Sequence, residues 1–226
     1  PPTGSTRTAR SCRSPVSCAG GDLFTSNGPA SPGLEVNRRE YRWRFREASI
    51  YRIYEFKLWS SSVGPKSAAS LGYGGDELQG QYRLPDGQQS MRFVEIAADG
   101  GLLPSPIVRD SFELWPAKRR EVIVDFTRYM DGSPTKKGDV LYLVNVTKLV
   151  TGRKPDGSDP NYKVPVMKIV IGEDAPDNSQ IPSLLRALPD LPSPSDVQKL
   201  IANRRVFRFQ RRGVGGDPQA GITGRP

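Results

Sequence analysis

Among side chains that commonly carry out chemistry, histidine is absent from all 226 residues. That excludes a Ser-His-Asp or Cys-His nucleophile, the usual zinc sites, and a type 1 copper centre, which needs two histidines and a cysteine. Cys12 and Cys18 both fall in a leader rich in Ser, Thr, Gly, Pro and Arg. A short-loop disulfide and two free thiols are both open there, and neither cysteine reads as a ligand. Carboxylates remain. Asp76 with Glu77, and Asp99 with Glu95, are pairs that could share general acid and base work, but solvated or turn-forming roles explain them as well. Gly72-Tyr73-Gly74-Gly75 lacks the spacing and the strand-to-helix setting of a phosphate-cradling loop. Asn145-Val146-Thr147 is a glycosylation sequon, but it lies in a predicted strand, where the Asn is expected to face solvent. The catalytic, cofactor-binding and metal-ligating sets are therefore all expected to be empty.

The elements around these residues read as strands. From Glu35 to Arg46 the chain alternates, with Tyr41, Trp43 and Phe45 on one face and Arg42, Arg44 and Arg46 on the other, the mark of a half-buried strand. A second strand is expected from Tyr51 to Trp59, then a long flexible surface connection over 60–90. Phe93–Ala97 reads as a strand ended by the turn Asp99-Gly100-Gly101, with a further connection after Leu102-Leu103-Pro104. Ser111–Leu114 is a predicted edge strand stopped by Pro116. Glu121–Phe126, Val140–Thr147 and Val164–Ile171 are predicted buried strands. The apolar residues expected to pack the faces are Trp43, Phe45, Phe93, Ile123, Val124, Phe126, Leu141 and Leu143, with Arg119 and Asp125 flanking the 121–126 strand as an ion pair or as partners of loop backbone. Beyond Gly172 five prolines fall within twenty residues, with one helical turn expected around Ser183–Leu188 and a short helix capped by Ser195-Asp196 through Ala202. Alternation resumes at Arg204–Arg212. Many short strands between turn signals indicate an antiparallel sandwich or barrel.

Composition agrees: 23 Gly and 21 Pro are too many for a helical bundle. No run approaches the roughly 18 apolar residues of a membrane span, and the first residues lack the apolar core of a signal peptide. The net charge of +9 raises nucleic acid as a partner, but its placement argues against that. Arg7, Arg10 and Arg13 in the leader and Arg204, Arg205, Arg208, Arg211, Arg212 and Arg225 in the tail carry nearly all of the excess, leaving a near-neutral body.

Three ordered blocks carry a resemblance. Leu34-Glu35-Val36 with Arg38-Arg39-Glu40-Tyr41-Arg42-Trp43-Arg44-Phe45-Arg46-Glu47-Ala48-Ser49 resembles the opening strand of the second domain of multicopper oxidases of the laccase, bilirubin oxidase and spore-coat type. Phe93 through Leu103 is similar to that family's strand and Asp-Gly-Gly turn. Leu114 through Phe126 is similar to its Pro-Ala-Glu-Arg, strand and Asp-Phe signature. More loosely, Leu188–Pro192 looks like an interdomain linker, Arg204–Phe209 like the first strand of the third domain, and Gly221–Pro226 like a later segment of it. Glu47 stands where the family usually has Asn, and Lys118 where it has Glu, so two local polar contacts are expected to be remade.

The resemblance implies an all-β, cupredoxin-like Greek-key β-sandwich over 22–172, preceded by a disordered leader at 1–21. A Pro-rich linker at 173–203 and an incomplete first strand of the next domain at 204–226 would follow. It implies a fragment of an oxidase that takes electrons from phenolic or bilirubin-like substrates and reduces dioxygen to water. Copper belongs to the complete parent and none to this chain, since the family's copper-binding motifs lie in the first and third domains. Those two domains are the expected partners, with a small phenolic substrate in the parent and neither nucleic acid nor membrane. The family also implies secretion or a place on the cell or spore surface. The alternatives are a stand-alone β-sandwich binding module and a basic-tailed nucleic-acid binder.

Overall fold

The computed structural model describes residues 25–50, 52–67, 82–147, 163–189, 192–201, 203 and 205–207. They fall in two compact units, Pro1–Ala187 and Leu188–Pro226. The first holds twelve described strands: β1 Gly33–Arg38, β2 Glu40–Arg46, β3 Tyr54–Ser60, β4 Lys66–Ser67, β5 Tyr82–Arg83, β6 Gln88–Met91, β7 Phe93–Ala98, β8 Gly101–Arg109, β9 Phe112–Leu114, β10 Arg119–Asp125, β11 Val140–Asn145 and β12 Val164–Asp174. Of the two larger sheets, one runs β1-β12-β11-β3-β6, with β9 also on β3, and the other runs β2-β10-β7-β8, while β4 and β5 form a separate two-stranded sheet. Only the β1–β12 pair of these two sheets is parallel. Between the sheets lies a core containing Phe56, Leu58, Phe93, Val124, Phe126 and Leu141. Fully burying each such side chain contributes roughly 1.5–3 kcal/mol. The all-β, cupredoxin-like sandwich expected from the sequence is therefore present.

Several elements differ from the sequence reading, each for a physical reason. The expected single strand over 35–46 is two. The chain breaks at Arg39, whose N–H bonds to the Asn37 carbonyl, so β1 pairs with β12 in one sheet and β2 with β10 in the other. The expected surface connection over 60–90 contains β4, β5 and β6, and within it Arg83 and Leu84 are buried. Leu84 joins Trp59, Tyr142 and Val144 in a second cluster. Asp76 and Glu77, and Gly72 to Gly75, lie outside the described residues. The connection expected after Pro104 is instead β8, a nine-residue strand at the sheet's edge. An edge tolerates prolines because an outward-facing N–H has no ladder partner to lose.

The expected strand over 51–59 begins only at Tyr54. Ile123 is half-buried, while Val122 on the opposite phase is fully buried. Trp43 and Phe45 are partly buried against the core, and the other apolar residues named for packing are buried. The helical turn expected at Ser183–Leu188 is absent, because the Leu185 and Arg186 amides donate to the Pro104 carbonyl on β8.

The second unit contains one described helix, α1 Pro194–Leu200, whose cap is Ser193 and not the expected Ser195. Ser193 Oγ accepts the Asp196 N–H at 3.2 Å, and Pro194 takes the first helical position, where its missing N–H costs nothing. Of the strand expected at Arg204–Arg212, the described residues Arg205, Val206 and Phe207 are exposed and in no strand. The rest of it, the leader with Cys12 and Cys18, and the segment 221–226 lie outside the described residues. Among the described residues no helix is long and apolar enough to cross a membrane.

Candidate functional site

The ladder between β2 and β10 sets the geometry of a partly buried aromatic surface. Tyr41, Trp43 and Phe45 turn inward and Arg42, Arg44 and Arg46 outward, as the alternation requires. Where the two sheets part, Trp43 and Phe45 face Tyr54 and Phe56 of β3 and Leu143 and Val166 of the opposite sheet across a cleft of about 1010 Å³. Its walls are an aromatic array: the Phe45 ring lies 5.0 Å from Phe112 and 5.8 Å from Phe56, with Tyr54 stacked on Phe56 at 5.4 Å. Such pairs add to area burial by roughly 0.5–1.5 kcal/mol each.

At the cleft's polar end lies Glu47, 5% exposed. Its Oε1 accepts the Ser49 N–H at 2.5 Å. Burial pushes this carboxyl above the usual glutamate value, although hydrogen bonds from Ser49 and the nearby Arg52 charge pull it down. The two departures from the family pattern meet here, since the Glu47 N–H donates to the Lys118 carbonyl and the Lys118 ammonium pairs with Asp99 at 2.9 Å. That pairing and the Arg119 amide hold the Asp99 carboxyl below its ordinary value.

The imagined acid–base pair of Glu95 and Asp99 is divided between different cations. Glu95 is 1% exposed and sits between Arg109, whose Nε bonds Oε2, and Arg120, whose Nη1 reaches Oε1 at 2.5 Å. A bulge at Ile96 interrupts both ladders of β7, so Glu95, Ile96 and Ala97 are buried in succession. A carboxylate so held is a structural anion, with both oxygens engaged. Arg119 and Asp125 do not pair with each other. Arg119 bonds Asp99 and the Ala117 carbonyl, while Asp125 accepts the Thr127 amide at 2.8 Å, so the loop-backbone role is the one observed.

The sequon reading needs correction. Asn145 is 1% exposed, and its Oδ1 accepts from the Glu55 amide at 3.1 Å and the Thr147 hydroxyl at 2.6 Å. It faces the interior because it ties β11 to β3 where that ladder ends.

No three His, Cys, Asp or Glu side chains converge as a metal site among the described residues, and the chain has no histidine to supply one. The donor set does not fit a type 1 or multinuclear copper centre. Among the described residues the arrangement offers an apolar cleft and fixed ion pairs, and no side-chain nucleophile is seen beside a base. Sequence reasoning missed the Glu95 ion cluster and the cleft. An acid on the same phase as Phe93 was the available signal for the first, whereas the cleft depends on how far the two sheets separate.

No family model matches the chain. It is 36% identical over 125 residues to a laccase of Bacillus subtilis (strain 168), covering 55% of this chain and 17% of the laccase. It is 30% identical over 195 residues to the bilirubin oxidase of Albifimbria verrucaria, covering 85% of this chain and 28% of that enzyme. The fold is similar to the McoA multicopper oxidase 2F4 variant of Aquifex aeolicus, with a TM-score of 0.53 at 23% identity over 76% of this chain and 30% of that one. The chain thus spans less than a third of each relative's length. In sequence the chain resembles a part of a laccase and of a bilirubin oxidase, and in fold a part of a multicopper oxidase, so that it looks like a fragment of a multicopper oxidase.

Proposed function

We propose that the chain is the structural middle domain of a longer copper-dependent oxidase, with residues 22–172 forming the sandwich, 173–203 the linker, and 204–226 the opening of the next domain. The observation that carries this reading is the long match to a bilirubin oxidase over only 28% of its length by a chain without histidine. In this reading the copper ligands belong to the flanking first and third cupredoxin domains, which are the chain's partners. The parent oxidises phenolic or bilirubin-like molecules and passes the electrons to dioxygen, outside the cytoplasm or on the cell surface. These residues supply spacing and packing surface instead of redox chemistry, and bind neither nucleic acid nor membrane.

A copper titration of the purified chain, followed by calorimetry and visible absorption, tests the reading. The expected result is weak, non-stoichiometric uptake with no intense thiolate-to-copper absorption. Tight one-to-one binding with such a band contradicts the spacer role and places a copper site in these residues.

A further inference from the structure

We propose that the free edge of β2 is a docking site for an extended segment of a partner polypeptide in which apolar and acidic residues alternate. In the four-stranded sheet, β2 has β10 as its sole neighbour among the described residues. The Phe126 N–H bonds the Arg39 carbonyl, and the Glu47 N–H bonds the Lys118 carbonyl. These two bonds bracket the ladder and assign its odd-numbered members to β10. The backbone groups of Glu40, Arg42, Arg44 and Arg46 therefore project from the opposite side. Asp177 Oδ2 takes the Glu40 N–H at 2.6 Å, and among the described residues the three arginine positions remain as a row of outward donors and acceptors. Such a row is a template for another strand.

Three observations define the occupant. First, alternate side chains of an added strand would turn inward beside Trp43 and Phe45, into the cleft of about 1010 Å³ between the sheets. Those positions call for apolar groups. Second, the other side chains would stand on the outer face across from Arg42, Arg44 and Arg46. Among the described residues Glu121 alone serves both Arg42 and Arg44, whose side chains remain 48% and 72% exposed, so the outer face carries excess positive charge that acidic residues would match. Third, the same charge argues against pairing with β2 of a second copy, which would oppose arginine to arginine. It also disfavours this chain's own basic run at 204–212. The proposal is independent of the copper reading, because it concerns backbone and charge along a single strand.

The test titrates the full chain with a seven-residue peptide of alternating valine and glutamate, the length of β2, and with its valine–lysine counterpart. Binding is read by amide hydrogen exchange and Trp fluorescence. The glutamate peptide should slow exchange at Arg42, Arg44 and Arg46 by at least about tenfold, equivalent to about 1.4 kcal/mol, and the lysine peptide should not. Arg44→Pro removes one outward N–H without touching the ladder to β10 and should abolish the effect. If that variant misfolds, the charge-reversing pair Arg42→Glu and Arg46→Glu should transfer preference to the lysine peptide. Equal protection by both peptides, protection at another edge, or no protection at saturation overturns the proposal. Concentration-dependent protection of these amides without peptide does so too, by showing a second copy in the site.

Discussion

Asn145 shows how far a single residue can depart from the role its motif predicts. The sequon is legible from three letters, yet its Asn side chain is buried and occupied by the Glu55 amide and the Thr147 hydroxyl. Expressed through a glycosylating secretory host, the folded chain should show no glycan at Asn145 by peptide mass spectrometry. Asn145→Ala should cost about 1–3 kcal/mol, since it takes the buried acceptor from the Thr147 hydroxyl and amide and leaves the Glu55 N–H with Thr147 Oγ1 alone. Glu95 is the stronger case. Glu95→Ala leaves Arg109 and Arg120 facing each other without their shared carboxylate, and should destabilise the fold by about 3 kcal/mol in urea unfolding, at the low end for a broken buried pair because both guanidiniums keep some water.

Glu47 makes a pH-dependent prediction. Its folded value is raised above 4.5 by burial, so the native state holds this proton more tightly than the unfolded chain. Stability therefore falls as pH rises from the unfolded value through the folded one, and stays lower above both. Glu47→Gln keeps an acceptor for the Ser49 amide and removes the charge. It should be more stable than the parent at pH 7, with the advantage vanishing below about pH 4.5 in thermal melts across that range.

At the scale of elements, alternation was a good guide wherever a strand kept one sheet on one side. The inward Tyr41, Trp43 and Phe45 and the buried Val124, Phe126, Leu141 and Leu143 could be read directly from period two. The reading failed where a strand changes sheets, as at Arg39, because alternation continues across the break. It also failed at β8, where Pro104 and Pro106 look like connection residues until the edge position excuses them. The 60–90 stretch was misread because its polar composition hides Leu84 and Gly87 beneath a second small core. Gly87 is needed there for space: a Cβ would overlap the Trp59 ring. Gly87→Ala should cost about 1–3 kcal/mol, the usual penalty of overpacking, and should perturb the near-ultraviolet signal of Trp59. A substitution at Gly100, where a Cβ meets nothing within 4 Å, is the matched control.

For the whole molecule, the family resemblance could be read from ordered motifs that composition alone would not have supplied, and the sandwich agrees with it. The candidate surfaces could not be read this way. The cleft and the free β2 edge depend on sheet separation and strand order, which no local pattern encodes. Both fit a domain that works by contact, and the central claim is that such a domain carries no redox centre of its own. The most direct test incubates the purified chain with copper, removes the excess, and measures bound metal together with oxidation of a phenolic dye. The account predicts substoichiometric copper and no turnover above buffer. Stoichiometric copper with sustained turnover from a chain lacking histidine would contradict it, and would require an oxidase site built from the remaining donors.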